Sequence, residues 1–200
     1  MSKKEVVKMA IKASGGIIKT AELINAGISK TDISDMLKNS YIEKIKHGYY
    51  KLKNDDISKE QILNTLLPDG IVCIHSALYH YGYSDFTPTE WNIAIPRTFS
   101  RSRLKIDDLP IKAFYVKDEL FELGKSTGDF NGFTLNVYDR ERTICDCFKY
   151  KTQLDSEIFT IAVNAYIADE KKNLSKLSEY SKKLRINKKH AELMRILLNK

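Results

Sequence analysis

Apolar residues recur at helical spacing from the start of the chain. Val6, Val7, Ala10, Ile11 and Ala13 fall together, while Lys4, Lys8 and Lys12 form a charged stripe four residues apart. Gly15-Gly16 ends this helix. A second, shorter helix follows, with Thr20 as its expected N-cap, Glu22 near the positive end of the dipole, Leu23 and Ile24 on its apolar face, and Gly27 as its stop. Ser29 caps a third helix, and Asp32 three residues on forms a capping box with a shorter carboxylate. Ile33, Met36 and Leu37 then face inward at i, i+3 and i+4. Beyond them, Ile42–Lys46 and Tyr49–Lys51 read as two strands around His47-Gly48, a two-residue loop suited to a hairpin.

The rest of the chain has a different character. Asn54-Asp55-Asp56 is a polar junction, and Ile57–Leu67 reads as a helix closed by Pro68-Asp69-Gly70. Ile71–Ile74 is a short buried-strand candidate, and a short helix runs from Ser76, its expected N-cap, to Gly82. Trp91–Ile95, Ile111–Val116 and Phe133–Tyr138 read as further strands. From Asp139 the pattern is helical, over Asp139–Tyr150, Ser156–Ala168, Leu174–Leu184 and Lys188–Leu198. The expected fold is therefore α+β. Residues 1–54 would form a winged helix-turn-helix, and residues 55–200 a mixed α+β domain ending in helices, with 55–70 as a bridging helix.

Charge divides along the same line. Residues 1–54 carry +6, residues 55–140 carry −4 and residues 141–200 carry +5, for +7 over 200 residues. A basic head on an acidic middle suits a nucleic-acid module joined to a domain with another task. A solvated Lys-rich surface is the plainer alternative. The three cysteines, Cys73, Cys145 and Cys147, lack the second pair or His cluster that a zinc site needs. An odd count without a signal peptide fits a reducing cytoplasm, and no apolar run approaches the ~20 residues that span a bilayer. A soluble cytoplasmic protein without a membrane partner is expected.

The third helix turns Lys30, Thr31, Ser34, Asp35 and Lys38 outward. Short polar groups meet base edges and lysines meet phosphates, while Asp35 is repelled by phosphate unless it accepts from a cytosine amine. On the hairpin, Lys44 and Lys46 share a strand face with His47 at the tip. Lys19 and Thr20, at the entry to the second helix, complete the candidate DNA-binding set. The alternative for all of these residues is an ordinary solvated face. Arg97, Arg101 and Arg103, in a loop with three hydroxyls and Phe99, form a candidate anion or partner surface or simply a solvated loop.

Candidate catalytic chemistry is thin. His75, Ser76 and His80 lack an evident third orienting group. Glu122-x-x-Lys125 and Asp107-Asp108 do not form a nuclease metal constellation, and there is no Gly-rich phosphate loop. Arg142 and Asp146, four apart, read as a structural pair, with Ile144, Cys147 and Phe148 toward the core. No catalytic residue, metal or cofactor is expected.

Four segments together resemble the AbiEi family, antitoxins and transcriptional regulators of bacterial abortive-infection toxin–antitoxin pairs. They are GGIIKTAELINAGISKTDISDMLKNSYIEKIKHGYYKL at 15–52, SALYHYGYSD at 76–85, WNIAIPR at 91–97 and YDRERTICDCFKY at 138–150. The RTICD stretch after a strand, behind the N-terminal module, discriminates best. The resemblance implies a non-enzymatic autorepressor that binds inverted repeats in its own promoter. Its second domain would counteract a cognate nucleotidyltransferase-like toxin, with no direct contact implied. DNA contact then falls to Thr31, Ser34 and Lys38 on the third helix and Lys44, Lys46 and His47 on the wing. The alternatives are a small winged-helix-guided nuclease or nucleotide-modifying enzyme, and a plain transcription factor.

Overall fold

A capping box opens the first helix, α1 (Lys3–Ala13): Ser2 Oγ accepts from the Glu5 amide, and the Glu5 carboxylate accepts from the Ser2 amide at 2.7 Å. The computed structural model describes residues 1–186 and Arg195. It is a mixed α+β protein with two sheets that divides into two units, 1–67 with Arg101–Pro110, and Pro68–Ser100 with the chain from Ile111 onward. The helix expected over Lys188–Leu198 lies outside the described residues.

In the first unit α1 is followed by β1 (Ile18–Lys19), α2 (Thr20–Asn25), α3 (Lys30–Lys38), β2 (Ile42–Lys46), β3 (Tyr49–Leu52) and α4 (Lys59–Leu66). The three strands form one antiparallel sheet in the order β1-β3-β2. Val7, Ile11, Ile18, Leu23, Ile28, Ile33, Met36, Ile42 and Leu52 make a common core, so the helical apolar faces close over the sheet. Ser29 caps α3: its hydroxyl accepts from the Asp32 amide at 3.1 Å, and the Asp32 carboxylate accepts from the Ser29 amide at 3.1 Å. The side chain of Gln61, on α4, donates to the Gly15 carbonyl within this unit.

Two expectations for α2 are corrected. Thr20 is its first residue rather than its cap, because Lys19 is held extended against Tyr49 and supplies the N-cap backbone itself. The Lys19 amide donates to Glu22 at 2.9 Å. Thr20 turns to the hairpin instead, its amide and hydroxyl both reaching the Gly48 carbonyl, at 2.9 and 3.3 Å. Ile24 is exposed rather than in the core, since six residues present too little apolar face to bury both Leu23 and its neighbour.

The second unit holds β4 (Ile71–Val72), α5 (Ile74–His80), β5 (Trp91–Pro96), β6 (Ile111–Val116), α6 (Asp118–Phe121), β7 (Lys125–Phe130), β8 (Phe133–Tyr138), α7 (Arg140–Lys149), α8 (Ser156–Ala168) and α9 (Leu174–Lys183). Its sheet runs β6-β5-β4-β8-β7, parallel at β5/β6 and β4/β8 and antiparallel elsewhere. Helix α7 packs against α5, α8 and α9, and every residue from Glu141 to Phe148 is buried. Asp139 caps it, accepting from the Arg142 amide at 2.8 Å.

Ser76 is not a cap. Helix α5 begins two residues earlier, after Cys73, with Ile74 in the left-handed region at φ +45. Ser76 is buried within it and accepts from the Asn92 amide at 2.9 Å, tying α5 to β5.

Candidate nucleic-acid interface

The inward face of α3 is Ile33 and Met36, with Leu37 half-buried beside them, and this decides what faces outward. Lys30, Thr31, Ser34, Asp35 and Lys38 are all exposed. The helix therefore offers two hydroxyls and three charged groups along one side, one of them the anionic Asp35. Asp32, half-buried at its start, is occupied by capping and by an ion pair with Lys3 at 2.7 Å. The Lys3 hydrogen bond and the Ser29 hydroxyl hold its carboxyl down to about 2.

The hairpin is less regular than strict alternation. Ile42 pairs with Leu52 and Lys44 with Tyr50, then the register slips by one residue before Lys46 pairs with Tyr49. Gly48 takes φ +80 and is the loop residue with a positive φ. Ile42 and Ile45 point inward, leaving Lys44 and His47 exposed. The slip separates the two lysines that strand alternation put on one face. Lys46 is half-buried and its ammonium donates to the Arg103 carbonyl. Burial, then the neighbouring Arg103 charge, holds this lysine below the usual range. Lys19 is exposed, its ammonium 5.9 Å from the Tyr49 ring centre, while Thr20 is spent on Gly48. Lys30, Thr31, Ser34, Lys38, Lys44 and His47 thus remain exposed polar positions of the first unit; Lys46 and Thr20 are already engaged.

The arginine loop is divided. Arg97 follows β5 in the second unit, and its amide donates to the Val116 carbonyl at 3.1 Å. Arg101 and Arg103 belong to a 3-10 turn, Arg101–Leu104, in the first unit. The chain passes from one unit to the other between Ser100 and Arg101, so Arg97 belongs to one unit and Arg101 and Arg103 to the other. Composition could locate the charge but not that crossing.

The second unit holds the histidines His75 and His80, the Glu122–Lys125 pair and the cysteines that the sequence offers for chemistry. Half-buried His75 has its backbone amide on Asn92 Oδ1 at 3.3 Å. His80 stacks on Phe130 at 4.2 Å between ring centres. Burial lowers the proton affinity of both histidines, aided by Lys112 beside His75 and Arg140 beside His80. Glu122 and Lys125 form an ion pair at 3.0 Å. Cys73, Cys145 and Cys147 are free, buried thiols whose pKa values burial pushes up. Among the described residues no group of three or more His, Cys, Asp or Glu is placed to hold a metal.

Arg142 and Asp146 form a buried pair, Nε to Oδ2 at 3.0 Å. Arg142 Nη1 also donates to the carbonyls of Leu120 at 2.8 Å and Leu123 at 2.7 Å, pinning α7 to the turn before β7. The i, i+4 spacing could identify the pair; nothing in the spacing gave its burial or its backbone partners.

The fold is similar to one already solved. The crystal structure of the RV2827C protein from Mycobacterium tuberculosis superposes with a TM-score of 0.66 at 13% identity, over 90% of this chain and 70% of that one. No protein-family model matches the sequence, and no curated protein matches it. At that identity the likeness concerns the fold alone. Among the described residues no helix is long and apolar enough to cross a membrane.

Proposed function

We propose that the first unit is a winged helix-turn-helix that binds double-stranded DNA. The chain as a whole would be a cytoplasmic antitoxin and autorepressor of the AbiEi kind. The observation that carries the DNA reading is the pairing, in one unit, of an α3 face exposing Lys30, Thr31, Ser34 and Lys38 with a hairpin exposing Lys44 and His47. Helix α3 would enter the major groove, where the hydroxyls of Thr31 and Ser34 would read base edges, and the hairpin would lie on the phosphates. Binding at inverted repeats upstream of its own reading frame would block transcription without catalysis. The antitoxin role rests on the resemblance through RTICD at 142–146 and on the order of the matching segments. Its functional partner would be a nucleotidyltransferase-like toxin encoded beside it.

The test has two arms. Fluorescence anisotropy with the duplex upstream of its own reading frame and a scrambled duplex measures binding and preference. Lys44→Ala should weaken both complexes alike and lower the salt slope by about one unit, as for one lost phosphate contact. Thr31→Ala with Ser34→Ala should cut the ratio of the two affinities and leave the slope in place. No binding to either duplex would overturn the DNA reading. Separately, co-expression with the neighbouring reading frame should rescue growth from that frame's toxicity; failure to rescue would overturn the antitoxin reading and leave DNA binding standing.

A further inference from the structure

We propose that the Arg101–Lys105 segment is a second phosphate-binding element of the first unit, extending the hairpin's hold on a DNA backbone. This rests on the reading of that unit as DNA-binding. The segment enters the first unit from the end of β5 and returns to β6, so it is remote in sequence from the hairpin it joins.

Two backbone-directed bonds fix it there. The Asp107 amide donates to the Ile45 carbonyl at 2.9 Å, and the Lys46 ammonium donates to the Arg103 carbonyl. Ile106 and Leu109 are buried, which anchors the segment by its apolar residues. Its polar residues point the other way: Arg101, Ser102, Arg103 and Lys105 are exposed. Their attachment point is the end of β2, immediately before the His47-Gly48 tip.

The bonding pattern also says what kind of ligand fits. Lys46 spends its ammonium on a carbonyl and so holds the turn in place. Arg103 approaches closely enough to disfavour the charged form of Lys46, so like charges converge at this edge of the unit. Exposed Asp107 and Asp108 follow on the same segment and offset part of that charge. Guanidinium groups present forked donors that match phosphate oxygens two at a time. A polyanion bound along the hairpin would meet Arg101 and Arg103 next. The repeated, evenly spaced phosphates of a duplex suit a row of cations along an edge, and duplex DNA is the occupant assigned here.

The experiment uses the full-length protein, with anisotropy titrations of both duplexes across a range of potassium chloride concentrations. Arg101→Ala with Arg103→Ala should flatten the salt slope by about two units, as for two released phosphate contacts. Affinity for both duplexes should fall alike, leaving their ratio unchanged. Arg101→Lys with Arg103→Lys should restore most of the slope, because the point charges return without the forks. Circular dichroism and Trp91 fluorescence confirm the fold of each variant. If the alanine pair fails to fold, Arg101→Glu with Arg103→Glu decides, with an expected loss larger than that for removing the charges. An unchanged slope in the arginine variants, with Lys44→Ala lowering it, would overturn this element and leave the hairpin reading intact. A changed affinity ratio at constant slope would make the arginines base readers and equally overturn it. Absence of DNA binding by the unchanged protein would overturn both readings together.

Discussion

Arg142 is the largest side chain fully withdrawn from solvent, and it is a cation. Its guanidinium carbon lies 4.1 Å from the centre of the Tyr138 ring, Nε meets Asp146, and Nη1 meets two carbonyls. Burial pushes the Asp146 carboxyl above the usual carboxylate range even with Arg142 beside it. Gly124 makes room for this arrangement: it holds φ +78, and a Cβ there would fall 2.5 Å from Arg142 Cβ. Breaking the pair should cost far more than replacing it. Asp146→Ala should remove about 3–5 kcal/mol of stability by leaving an uncompensated buried charge, whereas Arg142→Met with Asp146→Leu should cost much less. Urea denaturation of the single and double variants measures both, and equal losses would show that charge pairing is not what matters there. The residue types and the four-residue spacing were readable in advance. Their burial was not, because a charged pair four apart on a helix is ordinarily a surface feature, and only the packing of α5, α8 and α9 around α7 makes it a core.

Among the elements, those with an apolar period or a cap were legible and those without were not. The Ser29-x-x-Asp32 box marks the start of α3, and the apolar and aromatic stretches at β5, β6 and β8 lie where strands are found. Strand β7, KSTGDF, escaped notice because it is an edge strand, exposed over most of its length, and has no buried face to impose a period. Strand β1 is two residues long and exists through pairing with β3, a long-range contact that no local pattern encodes. The α3 cap also sets a pH dependence. Asp32 has a depressed pKa, so its contribution to stability is present above the ordinary carboxylate value and is lost as pH falls toward about 2. Thermal melts should therefore show an acid limb between about pH 4 and pH 2 that Asp32→Asn flattens. Ser29→Ala should cost about 1 kcal/mol at neutral pH through the lost cap. An acid limb of the same steepness in Asp32→Asn would place that titration elsewhere.

At the scale of the molecule, the chain crosses between its units three times, and the second crossing carries cations from the acidic middle of the sequence into the first unit. The first unit has fifteen Lys and Arg against ten Asp and Glu, the second eighteen against sixteen, so the first carries +5 of the +7. Arg101, Arg103 and Lys105 contribute to that excess from within a stretch whose sequence surroundings are acidic. The same stretch does a second job. Strands β5 and β6 are parallel neighbours, and parallel neighbours need a crossover of about a dozen residues or more, usually filled by a helix. Here the connection is the fourteen residues 97–110, and its last ten, Arg101–Pro110, are folded into the other unit. Shortening it should then damage the second unit as well as the first. Deleting 101–105 leaves nine residues to span the crossover, and the first ladder pair, Trp91 with Ile111, is where the tension would fall. Trp91 is the protein's single tryptophan, so its fluorescence reports that end of the sheet directly. The deletion should lower the denaturation midpoint read from Trp91, while Arg101→Ala with Arg103→Ala, which keeps the chain length, should leave that midpoint in place. If the deleted protein unfolds at the unchanged midpoint, the length of this connection does not constrain the parallel pair, and its only work would lie in the first unit.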